Sequence, residues 1–222
     1  MNWRALILLI VTLAAMAAAT AAQMNEQWQV IEIKYEYNEK EVDTVVTYSL
    51  EEVNVETETC RDEECESEVE SEKLSTLFKD CDERTNSDSK NNCKNSKKTT
   101  LNTLMGLNGI FGWGIFAIIS SVFTLIGMTG NKFAAFFTLM LALTMIGVCG
   151  YYTMTFPSRE GSTGYEDVKL TEYPGQGTWI LAAGGLLALI GAIIGFRGGE
   201  KDDGAPKMPD SDSSYYHGSM AE

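Results

Sequence analysis

The sequence predicts a membrane-spanning α-helical bundle that carries a small, disulfide-linked, β-rich domain. Residues 101–156 contain one charged side chain, Lys132, whereas residues 23–100 contain 21 acidic and 10 basic residues. Four of the five cysteines also lie in the acidic segment. Charged and apolar residues therefore occupy separate blocks, which excludes a single soluble domain, in which they alternate with a period of two or 3.6 residues.

Three apolar stretches have the length of transmembrane helices: residues 101–128, 133–156 and 178–196. A helix needs about 20 apolar residues to cross the ~30 Å hydrocarbon core of a bilayer. Apolar and polar residues do not alternate in these stretches as they do in the strands of a membrane barrel. A helix is then the remaining structure that satisfies all backbone hydrogen bonds in lipid. The short link 129–132 predicts a tight inner turn between the first two of them.

Residues 1–22 support two interpretations. Arg4 precedes an apolar run, and the run ends in the small residues from Ala19 to Ala22. A cleaved signal peptide has this pattern, and so does a retained first transmembrane helix. The bundle therefore has four helices, or three plus a signal peptide, and both interpretations deliver the following segment to the non-cytoplasmic side.

The cysteines predict the orientation. Cys60, Cys65, Cys81 and Cys93 are an even number in a polar segment, which is typical of two disulfides in an oxidising compartment. Three pairings are open, and Cys60–Cys81 with Cys65–Cys93 is at least as attractive as a short Cys60–Cys65 loop. We expect a plasma-membrane protein with residues 23–100 extracellular and residues 197–222 as a disordered cytoplasmic tail.

Aromatic residues flank the predicted helices at the extracellular side. Trp28, Tyr151, Tyr152 and Trp179 all lie near the ends of apolar stretches. Amphipathic rings favour the depth of the lipid headgroups, so we expect these four side chains to anchor the helices at the membrane surface.

Within residues 23–100, the hydrophobic period changes along the chain. Residues 28–59 alternate, which predicts a β-hairpin and a third strand. Residues 66–82 fit one face of a helix, with glutamates near its start. Residues 83–100 are almost without apolar side chains and predict a loop, and residues 157–177 predict a second outer loop.

The acidic segment from Glu51 to Glu72 contains eleven carboxylates and a single basic residue, Arg61. Such a segment is typical of a solvated surface that keeps a small domain soluble. It also predicts weak attraction of cations by a focused negative potential. No calcium-loop spacing is present, so no specific metal site is predicted. The candidates for cation attraction are Glu63, Glu64, Glu66, Glu68, Glu70 and Glu72.

Small residues recur at helical spacing in two of the apolar stretches. This pattern lets helix backbones approach closely, either within one bundle or between copies of the chain. The candidate packing residues are Gly106, Asn108, Gly109, Gly112, Gly184, Ala188, Gly191 and Gly195.

Signatures of catalysis are missing from the sequence. The one histidine, His217, lies in a polar tail, and no ionisable residue lies in the middle of a predicted span. Known metal, nucleophile and phosphate motifs are absent, so we expect no enzyme and no cofactor. A chain this acidic lacks the basic face of a nucleic-acid binder. The expected partners are the lipid bilayer and other membrane proteins or further copies of this chain.

The arrangement resembles the claudin and peripheral-myelin-protein superfamily. Its members have four spans, a large β-rich outer loop between the first two, a tight inner turn and a smaller second outer loop. Claudins carry Trp, then Gly-Leu-Trp, then two cysteines in the first outer loop; Trp28, Cys60 and Cys65 lie at comparable places here, but Gly-Leu-Trp is missing and two further cysteines are present. The resemblance is one of topology.

Three functions follow from these observations. The first is contact, adhesion or assembly of membrane proteins through the acidic outer domain. The second is a channel or transport accessory subunit whose outer domain attracts cations. The third is a membrane thiol-disulfide oxidoreductase. Enzymes of that class carry a closely spaced redox pair, whereas the nearest cysteines here, Cys60 and Cys65, have four residues between them.

Overall fold

The structure is a computed structural model, and it describes residues 2–37, 40–61, 64–83, 86–155 and 168–197. In chain order the elements are α1 (Trp3–Gln23), β1 (Gln29–Tyr37), β2 (Lys40–Tyr48), β3 (Glu52–Arg61), β4 (Glu64–Lys73), α2 (Leu74–Leu77), α3 (Ser87–Leu125), α4 (Asn131–Thr155), β5 (Lys169–Pro174) and α5 (Gln176–Arg197). Helices α1, α3, α4 and α5 are long and apolar enough to cross a membrane. They confirm the predicted bundle and indicate an integral membrane protein.

The four long helices form a ring in which α1 and α4 each pack against both α3 and α5. The centre is built from small side chains, including the fully buried Ala15, Ala142 and Ala188. Polar bonds cross it between α1 and α4: the hydroxyl groups of Thr12 and Thr138 lie 3.4 Å apart. Interhelical bonds of this kind stabilise helix pairs where lipid offers no competing partner.

The turn between α3 and α4 spans residues 126–130, slightly earlier than the predicted 129–132. Gly127 adopts φ +78°, a conformation that closes the C-terminus of a helix. Its N–H donates to the carbonyl of Thr124 (3.2 Å), and the N–H of Met128 donates to that of Phe123 (2.9 Å). These bonds satisfy helix-end carbonyls and turn the chain directly into α4.

At the opposite end of the bundle lies an antiparallel sheet with the strand order β4-β3-β2-β1-β5, which confirms the β-rich prediction. Ile31 lies opposite Val46, and Val46 lies opposite Val55, so their side chains share one face. Strand β5 comes from the segment 157–177, which was expected to be a loop, and it pairs with β1. Residues 157–167 of that segment lie outside the described residues.

The predicted helix over residues 66–82 is wrong for most of its length. Residues 64–73 form β4, and helical structure is confined to α2 and a 3₁₀ turn at Lys79–Asp82. A helix would bring Glu66 and Glu70 together at a spacing where like charges repel. The strand instead pairs with β3 through its whole length.

The predicted loop over residues 83–100 is also wrong, because α3 begins at Ser87. No glycine or proline occurs from residue 87 to residue 105. Extending an existing helix is much less costly than starting one, so the polar residues continue the apolar helix. With 39 residues, α3 is ~58 Å long, nearly twice the ~30 Å that a bilayer requires.

The first turns of α3 help to form the core of the sheet domain. Ile31, Val46 and Val53 from one sheet face pack with Leu74 and Phe78, and with two cysteines, Cys81 and Cys93. Elements α2, the 3₁₀ turn and the start of α3 therefore cover part of that face. The result is a small core that adjoins the bundle.

Candidate functional site

Trp28 is the residue at which the sheet and the bundle meet. Its side chain is fully buried. The indole Nε1 donates to the carbonyl oxygen of Ala22 at the end of α1 (2.7 Å). Its ring meets that of Tyr152 on α4 edge-on, with 5.2 Å between centroids. The side chain thus joins α1 and α4 just below the sheet.

The backbone of Trp28 adds three further bonds. Its N–H donates to the carbonyl of Tyr48 (2.7 Å), and its own carbonyl accepts from the N–H of Gly175 (2.9 Å) and from the hydroxyl of Thr178 (2.8 Å). A Cβ atom on Gly177 would lie 2.9 Å from the indole nitrogen, so the start of α5 needs a glycine there. One residue therefore ties together α1, β2, α4 and α5.

Trp28 and Tyr152 are not at the lipid interface as predicted, because both side chains are enclosed by the protein. Exposure fits the anchoring prediction at Trp179, whose side chain is 64% exposed. Tyr151 is half-buried and its hydroxyl accepts from the side chain of Asn102 (2.7 Å). Trp28 follows Ala22 by six residues in the sequence. This short connection between the first helix and the first strand is the sequence signal for the junction.

Two disulfides stabilise the sheet domain. Cys60–Cys65 joins residues that face each other on β3 and β4, and Cys81–Cys93 joins the 3₁₀ turn to α3. The pairing Cys60–Cys81 with Cys65–Cys93 is therefore wrong. A pairing of near neighbours suits β3 and β4, because their hairpin already brings the two cysteines together. Cys149 is the free cysteine among the described residues, and its Sγ lies 3.6 Å from the carbonyl oxygen of Thr178.

No metal site follows from the described cysteines. Glu58, Cys60 and Cys65 lie close enough together to surround an ion. However, the two sulfur atoms form a disulfide and offer no thiolate, which is the form of cysteine that binds metals. His217 lies outside the described residues.

The carboxylates predicted to attract cations form a row along β4. Alternate residues of a strand point to the same side, so the glutamates share one face of the sheet, and all of them are exposed. The members of this row, which we call the acidic row, are Glu64, Glu66, Glu68, Glu70 and Glu72. Glu63 lies outside the described residues.

Two polar contacts lie on the other face of the sheet. Lys34 on β1 forms a salt bridge with Asp43 on β2, and this hydrogen bond raises the pKa of the lysine. The hydroxyl of Tyr173 on β5 donates to Glu32 (2.7 Å), which raises the pKa of the tyrosine. Both groups stay protonated at neutral pH and link β1 to its two neighbours.

Most of the predicted packing residues lie at helix contacts. A Cβ atom on Gly184 would lie 2.8 Å from that of Ala18, and one on Gly195 would lie 2.8 Å from that of Ala135. Gly106 faces Val148, Gly109 faces Thr144 at a greater distance, and Ala188 is fully buried. These residues bring α5 close to α1 and α4, and α3 close to α4.

Gly112 and Asn108 are different. Both are exposed on α3, and a Cβ atom on Gly112 would meet nothing within 4 Å. The regular spacing in the sequence includes them, but the helix rotates them to the outside of the ring. The prediction that they pack between helices of one bundle is therefore wrong for the described part of the chain.

We expect Gly191→Val to destabilise the bundle and Gly112→Val to have little effect. A Cβ atom on Gly191 would lie 2.6 Å from Cγ1 of Val11 on α1, so α5 and α1 must separate. Overpacking of this kind costs about 1–3 kcal/mol. Thermal unfolding of the two purified variants in the same detergent measures the difference, and equal melting temperatures would contradict the contact.

A scan against models of known protein families and a search of curated proteins both found no match to this chain.

Proposed function

We propose that this chain is a non-enzymatic plasma-membrane protein whose disulfide-bonded sheet domain mediates contact with, or assembly of, other membrane proteins. In this proposal all four long helices span the membrane, the sheet lies outside the cell, and the chain after α5 lies in the cytoplasm. The acidic row and the exposed side of β4 then face the extracellular space.

The observation that carries the proposal is the junction at Trp28. Its contacts with α1, β2, α4 and α5 hold the sheet in one orientation on the bundle. Binding surfaces on rigid elements hold their geometry better than surfaces on loops. A sheet held in this way is suited to present a fixed surface to a neighbour in the same or in an opposing membrane.

We also propose a relationship in topology to the claudin and peripheral-myelin-protein superfamily. Four long apolar helices, a sheet between the first two and a short turn between α3 and α4 support it. The proposal extends to arrangement alone, since the Gly-Leu-Trp sequence of claudins is missing.

The orientation makes a direct prediction for cysteine labelling. Cys60, Cys65, Cys81 and Cys93 are paired, so we expect a membrane-impermeant maleimide to label them in intact cells only after treatment with an impermeant reductant. Cys149 lies in α4 and is not expected to react. Labelling that requires permeabilised cells would place the sheet in the cytoplasm and contradict the proposal.

Crosslinking tests the contact function. Lys34, Lys40, Lys73 and Lys169 are exposed on the sheet, and an impermeant amine-reactive crosslinker applied to intact cells should join them to other membrane proteins or to copies of this chain. The matched control replaces these four lysines with arginine, which keeps the charge but does not react. If both forms give the same crosslinks, the sheet is not the contact surface. Thiol oxidation by the purified protein that disappears in Cys60→Ser would instead favour the oxidoreductase.

The acidic row favours a second candidate, a channel or transport accessory subunit. Five exposed carboxylates on one strand raise the local concentration of cations. Replacing Glu66, Glu68, Glu70 and Glu72 with glutamine should then lower cation currents in cells that express the chain. Unchanged currents at low ionic strength, where screening is weakest, would count against this candidate.

A further inference from the structure

Strand β4 is an edge of the sheet, and its outer side is unpaired by any described strand. It stands at one end of the order β4-β3-β2-β1-β5. All ten of its residues are exposed, including Val69, whose side chain is 67% exposed. An edge of this length presents a row of backbone donors and acceptors on which another strand can form.

The geometry of the β3–β4 pair shows which backbone groups point outward. The Cα atoms of Cys60 and Cys65 are 4.1 Å apart, the spacing of a pair that exchanges no backbone hydrogen bonds. Bonded and non-bonded pairs alternate, so the N–H and C=O of Ser67, Val69 and Ser71 also point away from β3. The bond from the N–H of Leu74 to the carbonyl of Glu51 (2.8 Å) fits the same alternation.

The acidic row determines which strands this edge can accept. Its carboxylates are spaced by ~7 Å along one face, since strand residues rise ~3.4 Å each. A second copy of β4 would place glutamates beside glutamates, which is unfavourable in cross-strand neighbours. Strand β5 of a second copy would bring a single lysine, Lys169, and also Glu172. Neither edge of this chain therefore complements β4.

We propose that β4 is a docking strand for an extended, lysine- or arginine-rich segment of a partner protein, which adds a sixth strand to the sheet. Alternate basic side chains of that segment lie beside the acidic row, while its backbone bonds to the outward groups of Ser67, Val69 and Ser71. Main-chain bonds supply affinity and alternate side chains supply specificity in strand addition of this kind. The inference rests on the proposed function, because it names the partner of the same domain.

The test uses the full chain in nanodiscs whose lipid, phosphatidylcholine, carries no net charge. The probe is a fluorescent peptide of about twelve residues with alternating lysine and threonine, and the control peptide has glutamate in place of lysine. We expect saturable binding of the lysine peptide alone, weakened by added salt. The triple variant Glu66→Gln/Glu68→Gln/Glu70→Gln should bind it roughly tenfold more weakly, which corresponds to about 1.4 kcal/mol.

A proline scan separates strand addition from general attraction of charge. Val69→Pro removes one outward N–H without breaking the bonds to β3, because proline is tolerated on an edge strand when its nitrogen faces solvent. We expect it to weaken peptide binding roughly tenfold, whereas Val69→Thr, which keeps the N–H, should bind as the wild type does. Ser67→Pro serves as a second variant, and circular dichroism and thermal unfolding verify that both proline variants remain folded.

Three outcomes would overturn the inference. A folded proline variant that binds like the wild type would show that the peptide does not add as a strand. A lysine peptide interrupted by prolines that binds equally well would show the same. If the lysine peptide does not bind, while lysines of the sheet still crosslink to membrane proteins in cells, the inference fails and the proposed function stands.

Discussion

Replacing Trp28 with alanine is expected to lower the free energy of unfolding by about 3–5 kcal/mol, the usual cost of removing a large buried aromatic side chain. The indole is fully buried, and its loss also removes its hydrogen bond to the carbonyl of Ala22, which then keeps only weaker backbone donors such as the N–H of Asn25 (3.2 Å). The edge-on contact with Tyr152 disappears as well. Thermal or denaturant unfolding in a single detergent measures the effect.

Two control variants test whether the loss of stability comes from the buried junction. Trp179→Ala removes the same group from a side chain that is 64% exposed, and we expect a change below about 1 kcal/mol. Trp28→Phe keeps most of the apolar contact but loses the bond to Ala22, so it should fall between the two. If Trp28→Ala and Trp179→Ala have equal effects, the sheet does not depend on the junction.

Removing the disulfide between Cys81 and Cys93 is expected to cost about 3 kcal/mol, and removing that between Cys60 and Cys65 about 2 kcal/mol. The difference follows from the chain that each closes, with sequence separations of 12 and 5 residues. Cys81 and Cys93 are also buried in the core of the sheet domain. Loss of their disulfide should therefore also loosen the packing of Ile31 and Val46 in that core.

Double serine variants of each pair, unfolded with and without reductant, test this ranking. The reductant should lower the melting temperature of the Cys60→Ser/Cys65→Ser variant, which keeps the buried disulfide, more than that of the Cys81→Ser/Cys93→Ser variant. A reversed order would show that the β3–β4 hairpin, rather than the start of α3, limits the stability of the domain.

Three of the four apolar helices could be predicted from the sequence because lipid imposes a simple rule. Long runs without charge have no other stable form in hydrocarbon, so the positions of α4 and α5 follow from counting, whereas residues 1–22 also fit a signal peptide. The strands β1, β2 and β3 alternate because one face packs on a core, as Ile31 and Val46 show. When a strand buries one face only, apolar residues alternate with polar ones, and the strand can be recognised in the sequence.

Strand β4 could not be predicted in this way, since it is exposed on both sides. Without a buried face its apolar residues have no strand period, and the helical pattern seen over residues 66–82 was misleading. The polar start of α3 gave no signal for a similar reason, because its helical form is set by the apolar helix that follows. At Trp28 an amphipathic ring suits a headgroup or a buried junction equally well, and only tertiary contacts distinguish them.

The position of β5 has a consequence for the order in which the protein is made. Strand β1 is synthesised early, but its second neighbour emerges only after α3 and α4, and Gly175 then supplies its bond to Trp28. Until that moment one side of β1 is open to mispairing in the nascent chain. A nascent chain stalled before residue 169 should therefore leave β1 accessible to chaperones, whereas a chain stalled well beyond α5 should already hold a closed sheet.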